Sequence, residues 1–332
     1  MPQPLSLRLA GTGIALPRQM RPSSWFDDRY GKPAGWTARH AGLQSRPLAG
    51  RDERASVLGA RAAEQALAAA GWLASELDLV VSACGVGEQA LPGTATLLHR
   101  ELGLDALGTA ALDINSACLS FVSALDLVAC ALAAGRYRRV LVVASEIPSA
   151  GLDWDDPDSA PLFGDGAAAV AVEAGDGRSR LLAAHHATWS SGLALCQVRA
   201  GGTGVRLDEG SQAYAKAARF AMDGPGTYRL AAQKLPGFVA ELTARAGLHP
   251  GQLDLLVPHQ ASAKALTHMR RALRLPAGMV VDIIEGHGNQ MAASIPTALH
   301  LAIADGRLQR GQTVALVGTG AGLAAAGLVL RY

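Results

Sequence analysis

Three side chains, Cys118, His259 and Asn289, have the types and positions needed for chemistry on a thioester. Cys118 stands just after a predicted strand and at the start of a long apolar helix, and His259 ends another predicted strand. A cysteine thiolate can take up an acyl group. An imidazole and an amide are neutral hydrogen-bond donors that can stabilise a developing enolate. The three residue types together therefore predict acyl transfer through Cys118, followed by enolate chemistry.

The helix that follows Cys118 predicts a reactive thiol. The positive end of a helix stabilises a thiolate, so we expect the pKa of Cys118 to be lowered. A buried packing cysteine is the alternative for any single cysteine. Cys130 lies among apolar residues of the same helix and is assigned to packing, as are Cys84 and Cys196.

His259 and Asn289 each have a purely structural alternative. His259 could be a satisfied structural histidine, and Asn289 could cap the helix that follows it. However, an internal repeat aligns Asn289 with Cys118 and His259 with Ala83. The fold therefore does not demand a histidine at this position, and the alignment favours placing Asn289 in the same cavity as Cys118.

The internal repeat also predicts the domain organisation. Cys118 lies 17 residues before the Gly135-Arg136 pair, and Asn289 lies 17 residues before the matching Gly306-Arg307 pair. Strands alternate with helices in both copies, which is typical of βαβ units with a largely buried sheet. We therefore expect an α/β fold of two duplicated halves, residues 1–174 carrying the cysteine and residues 175–332 carrying the histidine and asparagine.

Hydrophobic patterning places the elements of each half, and a polar insertion at about Ala200 to Gly226 precedes the second copy. The predicted strands are Leu5–Gly11, Leu77–Ala83, Thr109–Ile114, Val140–Ser145, Ala167–Val172, Leu253–Pro258, Met279–Ile284 and two closing strands around Gly318–Gly322. The predicted helices are Asp52–Ala70, Thr94–Leu102, one at Cys118, Thr227–Ala246, Ala263–Leu273 and one at Asn289.

Composition excludes several classes of protein. The 332 residues are 49% apolar and 17% charged, and the net charge of +2 gives no general attraction to nucleic acid or membranes. The N-terminus lacks the features of a signal peptide, and no apolar run is long enough to span a membrane. The four cysteines have no disulfide-like spacing, so we expect a reduced, cytoplasmic protein.

No cofactor or metal is expected. The histidines and cysteines show no metal-ligand spacing. The Gly318–Gly322 turn resembles the start of a dinucleotide fingerprint, but the chain ends at Tyr332 and leaves no room for the helix and strand that such a motif requires. A tight hairpin that lets a ligand approach the backbone is the better interpretation.

Along nearly its whole length the chain resembles the thiolase-fold condensing enzymes, specifically the β-ketoacyl-acyl-carrier-protein synthase III group. Five motifs occur in the family's order: Ser116-Ala-Cys-Leu-Ser-Phe121, Phe163-Gly-Asp-Gly-Ala167, Pro258-His-Gln-Ala-Ser262, Gly288-Asn-Gln-Met-Ala-Ala-Ser-Ile-Pro296 and the closing glycine-rich turn. The resemblance implies a layered α/β/α/β/α sandwich. It also implies a decarboxylating Claisen condensation of an acyl thioester with a malonyl thioester, with coenzyme A or phosphopantetheine thioesters as substrates.

The resemblance assigns roles by position. Cys118 would be the acylated nucleophile, and His259 and Asn289 would hold the carbonyl of the extender as it loses carbon dioxide. The backbone N–H groups of Cys118 and Ala321 would form the oxyanion hole; the family usually has glycine at the second position, but only an N–H is needed. Trp36 would stand beside the mouth of the pantetheine tunnel.

The resemblance also implies partners. Leu91 matches an acyl-pocket residue that the partner subunit donates, which implies a homodimer. Arg229 and Lys264 match positions that dock acyl carrier protein, which is typically acidic.

Two departures from the family pattern bear on the substrate. Asp153, Asp155, Asp156 and Asp158 fill a loop where the best-known bacterial members carry an arginine that clamps the adenine of coenzyme A, which predicts weak binding of free coenzyme A. The olefin-pathway enzymes that condense two acyl chains head to head carry a glutamate where this chain has Leu91. Because this chain lacks that carboxylate, head-to-head condensation is the second choice of reaction. Acyl transfer without decarboxylation and a non-catalytic scaffold are further alternatives, against which the intact Cys, His and Asn set argues.

Overall fold

Within the residues that the structure describes, strands form two five-stranded sheets and two short two-stranded ribbons. A computed structural model describes residues 4–206, 208 and 210–332. The strands are β1 Leu5–Ser6, β2 Arg8–Ala15, β3 Gln19–Pro22, β4 Ser45–Leu48, β5 Leu79–Ser82, β6 Ala110–Asp113, β7 Arg139–Glu146, β8 Gly166–Glu173, β9 Arg180–Thr188, β10 Cys196–Gln197, β11 Ala221–Met222, β12 Leu255–Pro258, β13 Thr313–Gly320 and β14 Ala324–Arg331.

Four consecutive strands of each large sheet, β2-β8-β7-β5 and β9-β14-β13-β12, share one pattern of strand directions. The first has the order β2-β8-β7-β5-β6 and the second the order β1-β9-β14-β13-β12. In the first, β7 is antiparallel to β8 and parallel to β5; in the second, β13 is antiparallel to β14 and parallel to β12. Their central strands are buried along almost their whole length, which is typical of sheets covered on both faces.

The longer helices cover both faces of each sheet, and short helices lie in the connections between strands. The helices are α1 Ser23–Arg29, α2 Trp36–Ala41, α3 Ala55–Ala70, α4 Thr94–Glu101, α5 Ser120–Ala133, α6 Ser211–Ala217, α7 Gly224–Arg245, α8 Ala263–Ala272, α9 Ile284–His287 and α10 Ser294–Ala304. Apolar side chains of α5 and α10 pack into one core with strands of both sheets. Helices α3 and α4 pack on the outer face of the first sheet, and α7 and α8 on that of the second. The result is the expected five-layer sandwich.

Most predicted elements of the first half are confirmed, but the N-terminal segment contributes a strand to each of the two large sheets. The predicted strand Leu5–Gly11 is two strands, because β1 pairs with β9 in the second sheet while β2 pairs with β8 in the first. Strand β9 and the elements α6 and β11 inside the polar insertion were not predicted.

The predicted strand Met279–Ile284 is wrong. Only an isolated bridge joins Val280 to Leu256, and a helical turn, α9, begins at Ile284. The side chain of Gln260 explains the difference, because its Nε2 donates to Val281 O at 3.0 Å and its Oε1 accepts from Ile283 N at 2.9 Å. An amide side chain thus satisfies the backbone groups that a neighbouring strand would otherwise pair.

Both helices that were predicted at the reactive residues begin later. Helix α5 begins at Ser120, two positions after Cys118, and α10 begins at Ser294, five positions after Asn289. Each reactive residue therefore lies in the turn that leads into its helix. Among the described residues, no helix is both long and apolar enough to cross a membrane.

Candidate active site

The predicted residues of both halves meet at one cavity. Its volume is about 250 Å³, and Cys118, His259, Asn289 and Ala321 all line it. The remaining lining is mostly apolar and includes residues of α7, α8, β13 and the turn after β13. A largely apolar cavity with a few convergent polar groups is the usual form of a substrate site.

A tight turn presents Cys118 between β6 and α5. Ala117, directly before the cysteine, has a left-handed backbone with φ 52°. Its N–H donates to Asn115 Oδ1 at 2.9 Å, and its carbonyl accepts from the Ser120 hydroxyl at 2.6 Å. Local side chains thus fix a backbone conformation that a non-glycine residue rarely adopts.

The thiol of Cys118 is harder to ionise than expected. Burial raises the pKa of Cys118 to about 12, with further contributions from the charges of Glu146 and Cys196. Two backbone N–H groups, those of Cys118 and Ala321, act in the opposite direction. The prediction of a lowered pKa is therefore wrong, because the loss of solvation outweighs the effect of these two N–H groups.

His259 lies directly after β12 and is neutral at physiological pH. Burial lowers its pKa to about 4, because charging an imidazole away from water is unfavourable. Its backbone N–H donates to Val317 O at 2.8 Å, and its Nδ1 has no hydrogen-bond partner among the described residues. Gly318 leaves room for the ring, since a Cβ there would stand 2.6 Å from the His259 Cβ.

Asn289 is buried and held in a fixed orientation. Its Oδ1 accepts from Met291 N at 2.9 Å, and its Nδ2 donates to Ala261 O at 3.4 Å. Its backbone N–H donates to Leu162 O at 2.8 Å. The Oδ1 contact closes a local turn, but Asn289 does not cap α10 as the structural alternative required, since the N-cap residue of α10 is Ala293. The Oδ1 contact also keeps the amide nitrogen, a donor, available beside the cavity.

The two residues predicted to form the oxyanion hole, Cys118 and Ala321, meet where β13 ends. Ala321 follows the last residue of β13, Gly320, and its N–H is directed at the Cys118 sulfur together with the N–H of Cys118 itself. A Cβ at Gly320 would stand 3.2 Å from Leu119 Cγ and 3.6 Å from Cys118 N. The absence of a side chain therefore lets the strand end approach the nucleophile.

Two predicted substrate-binding residues lie outside the cavity. Trp36 begins α2 and its ring stacks on that of His40, with centroids 4.5 Å apart. Leu91 lies on an exposed loop and is 86% exposed.

Lys264 lines a second, shallower pocket of about 350 Å³. Arg39, His40 and Arg271 also line it, and Tyr228 and His268 line both pockets. Arg229 is exposed on α7, next to Tyr228. Within the described part of the chain, neither Lys264 nor Arg271 forms an ion pair. The mouth of the cavity is therefore flanked by unneutralised positive charge.

Some residues at the site were not found from the sequence. Glu146, at the end of β7, is 1% exposed, and its charge acts on Cys118. An acidic residue directly after a buried apolar strand was the available signal. Arg219 was also missed; its guanidinium lies 2.9 Å from Asp153 and so partly neutralises the acidic loop. The sequence offered no signal for that contact.

Within residues 4–206, 208 and 210–332, no group of three His, Cys, Asp or Glu side chains is arranged to hold a metal ion.

Family models match two parts of the chain. Residues 112–189 match the 3-oxoacyl-[acyl-carrier-protein] synthase III model, and residues 243–332 match the model of the C-terminal part of the same enzymes. The chain is 34% identical to β-ketoacyl-[acyl-carrier-protein] synthase III of Paracoccus denitrificans over 325 residues, which cover 97% of this chain and 98% of that relative. The relative from Methylococcus capsulatus is also 34% identical over 325 residues, with 98% of each chain covered.

Solved structures agree. The 3-oxoacyl-(acyl carrier protein) synthase III of Pseudomonas aeruginosa has a TM-score of 0.90 at 33% identity, with 98% of each chain covered. OleA of Xanthomonas campestris has a TM-score of 0.85 at 21% identity, also with 98% of each chain covered, and this likeness concerns the fold alone. The predicted fold class and the predicted enzyme class, an acyltransferase that condenses thioesters, are confirmed. By full-length identity and by structure, the chain belongs to the 3-oxoacyl-[acyl-carrier-protein] synthase III family.

Proposed function

We propose that the protein condenses an acyl thioester primer with malonyl-acyl carrier protein through an acyl-Cys118 intermediate and releases a β-ketoacyl thioester and carbon dioxide. The observation that carries this proposal is that one cavity brings a thiol, two backbone N–H groups directed at it and two neutral side-chain donors together. The scheme uses no cofactor besides its thioester substrates.

In the first half-reaction, the Cys118 sulfur attacks the acyl carbon of the primer. The carbonyl oxygen becomes an oxyanion, to which the N–H groups of Cys118 and Ala321 donate hydrogen bonds. The bond to the leaving thiol then breaks, and that thiol takes up a proton. Because burial raises the pKa of Cys118 to about 12, the resting thiol is protonated and loses its proton during the attack.

In the second half-reaction, the malonyl thioester loses carbon dioxide. The electron pair of the broken carbon–carbon bond moves onto the thioester, and His259 and Asn289 donate hydrogen bonds to the enolate oxygen. A neutral imidazole suits this task, since the lowered pKa of His259 keeps it uncharged in the buried site. The enolate carbon attacks the acyl carbon, the carbon–sulfur bond breaks, and the Cys118 thiolate takes up one proton from solvent to restore the thiol.

Positive charge at the cavity mouth supports acyl carrier protein as the partner. Lys264 and Arg271 line the second pocket, and Arg229 is exposed nearby. An acidic carrier protein would dock on this face and pass its prosthetic arm into the cavity. Lys264→Glu should raise the KM for malonyl-acyl carrier protein several-fold and leave the KM for a malonyl-pantetheine mimic unchanged. Equal changes for both substrates would argue against docking at this face.

Exposed apolar residues at one edge support a homodimer. Leu91 is 86% exposed, and Leu112, in the edge strand β6, is 39% exposed. An edge strand with exposed apolar side chains is normally covered by a partner. We place the dimer in the cytoplasm, as its four free cysteines suggest. Light scattering should give twice the chain mass, and Leu91→Glu should reduce it; a monomeric wild type would contradict the dimer.

Intact-protein mass spectrometry tests the reaction itself. Incubation with an acyl thioester should add one acyl group, which peptide mapping assigns to Cys118. Labelled malonyl-acyl carrier protein should then release carbon dioxide and the β-ketoacyl product in equal amounts. An adduct with no release of carbon dioxide would indicate head-to-head condensation or simple acyl transfer, and no adduct would indicate a scaffold.

A further inference from the structure

Glu146 has a buried carboxyl group that contacts segments beside the Cys118 and Asn289 turns. It ends β7, and its Oε1 accepts a hydrogen bond from Gly85 N while its Oε2 accepts one from Val86 N at 3.4 Å. The backbone N–H of Ala292 also favours its charged form. A buried carboxyl group that accepts hydrogen bonds from two backbone N–H groups holds them in place, because each would otherwise lose a hydrogen bond.

One arm of this network reaches Cys118. The carbonyl of Gly85 accepts from Asn115 Nδ2 at 3.0 Å, and Asn115 Oδ1 accepts from Ala117 N at 2.9 Å. Gly85 also packs directly on the turn, since a Cβ there would lie 3.0 Å from the carbonyl carbon of Ala117. Glu146 therefore acts through Gly85 and Asn115 on the backbone that presents the thiol.

The other arm reaches Asn289. Ala292 belongs to the helical turn Met291–Ala293, and Met291 N donates to Asn289 Oδ1 at 2.9 Å. Strand β7, which ends at Glu146, packs against this turn, so the Glu146 side chain lies between a turn from each half of the chain.

On the basis of the function proposed above, we propose that Glu146 is a positioning residue of the condensation, which holds the Cys118 turn and the Asn289 turn at the correct separation. It does not line the cavity and so acts through these two turns. Because the acyl group is on one turn and a donor to the enolate on the other, a displacement of about 1 Å between them would slow condensation by about a hundredfold.

The charge of Glu146 provides a second readout. Burial raises the pKa of Glu146 to about 8, and its charge raises the pKa of both neighbouring thiols, Cys84 and Cys118. Asp113 also acts on Cys84. As pH rises, the rate of Cys118 alkylation should increase with the thiolate fraction. Its slope should flatten near pH 8, where Glu146 becomes negative and opposes ionisation of the thiol.

Two variants of Glu146 separate the effect of its hydrogen bonds from the effect of its charge. In Glu146→Gln, the amide nitrogen must face either the Gly85 N–H or the Val86 N–H, so one donor loses its partner. Condensation should fall about a hundredfold. The rate of Cys118 alkylation by iodoacetamide, measured by peptide mapping from pH 6 to 10, should rise with pH without the flattening near pH 8, which we call the bend. Glu146→Asp should also slow condensation but keep the bend. Glu173→Gln, in the same sheet, is the matched control and should change neither.

Asn115→Ala interrupts the arm to Cys118 at an exposed residue and should slow condensation about tenfold with the bend retained. If Glu146→Gln does not fold, Glu146→Asp and Asn115→Ala decide the matter, and wild-type condensation in both would overturn the proposal. A Glu146→Gln protein that is less stable but has wild-type condensation and a wild-type bend would also overturn it. If wild type forms no acyl adduct, the proposed function fails, whereas the alkylation profile still reports whether Glu146 acts on Cys118.

Discussion

The two halves build equivalent backbones and attach different chemistry to them. Ala83, after β5, donates its N–H to Val143 O at 2.7 Å, and His259, after β12, donates its N–H to Val317 O at 2.8 Å. The two residues thus occupy the same place in their sheets, one with a methyl group and the other with an imidazole. The shared backbone fixes where a side chain stands, and the residue type decides what that half contributes. In the proposed reaction the first half supplies the nucleophile and the second half supplies neutral donors.

The turns before Cys118 and Asn289 also have a similar backbone feature, a positive φ, but at different residue types. Ala117 precedes the cysteine with φ 52°, and Gly288 precedes the asparagine with φ 66°. The ψ of Gly288 is −167°, a combination that only glycine adopts without strain. The first half therefore uses a strained alanine where the second uses a glycine that its conformation requires.

The largest effect should separate the chemistry of the two halves. Asn289→Ala should slow condensation by about a hundredfold to a thousandfold, the usual cost of one donor to a developing oxyanion, with acylation of Cys118 nearly unchanged. Single-turnover measurements of each half-reaction check this, with the surface amide variant Gln309→Ala as control. Equal losses in both half-reactions would mean that Asn289 only closes its turn.

Burial of His259 should make the free energy of unfolding fall in acid. Its pKa is about 4 in the folded protein and about 6.5 when unfolded, so the unfolded chain binds a proton first as pH falls. Its contribution to stability is fully present above pH 6.5 and is lost between pH 6.5 and 4, by about 3 kcal/mol. Urea unfolding at pH 7 and pH 4 should show that His259→Asn narrows the difference by this amount, and that the exposed His249→Asn does not. An unchanged difference in His259→Asn would show that the imidazole is already charged in the folded protein.

Reciprocal substitutions test the backbone comparison. Gly288→Ala should destabilise the protein by roughly 2 kcal/mol, because the new Cβ would lie 2.9 Å from Leu162 O in a backbone region unsuited to alanine. Ala117→Gly should change stability by less than about 1 kcal/mol, since relief of the left-handed strain offsets the greater freedom of the unfolded chain. Urea unfolding measures both, and equal costs would remove the distinction between the two turns.

The residues that the sequence revealed differ from those that it did not in how local their signals are. Cys118, His259 and Asn289 were found because each stands at the end of an apolar element and in a recognisable motif. Glu146 and Gln260 were not assigned roles, because their contacts are backbone groups of distant segments: Glu146 bonds a residue 61 positions away and Gln260 one 23 positions away. The error in the pKa of Cys118 has a related cause, since burial depends on how both sheets close over the thiol.

The smallest effect concerns the two sides of the cavity mouth, where the first half supplies an acidic loop and the second a cationic face. Asp155 is 87% exposed, and His40 lies 3.2 Å from Asp158. The phosphates of coenzyme A would meet this loop, whereas a pantetheine primer would not. Asp155→Asn should therefore speed the loading of acyl-CoA onto Cys118 by up to about fivefold at low salt, the equivalent of about 1 kcal/mol per close charge pair in water. Loading from acyl-pantetheine should stay unchanged, and the gain should fade as ionic strength rises.

Acyl adducts counted by mass spectrometry at several salt concentrations measure both. A gain that persists in high salt, or that extends to the pantetheine primer, would show that Asp155 acts through the shape of the loop rather than through its charge.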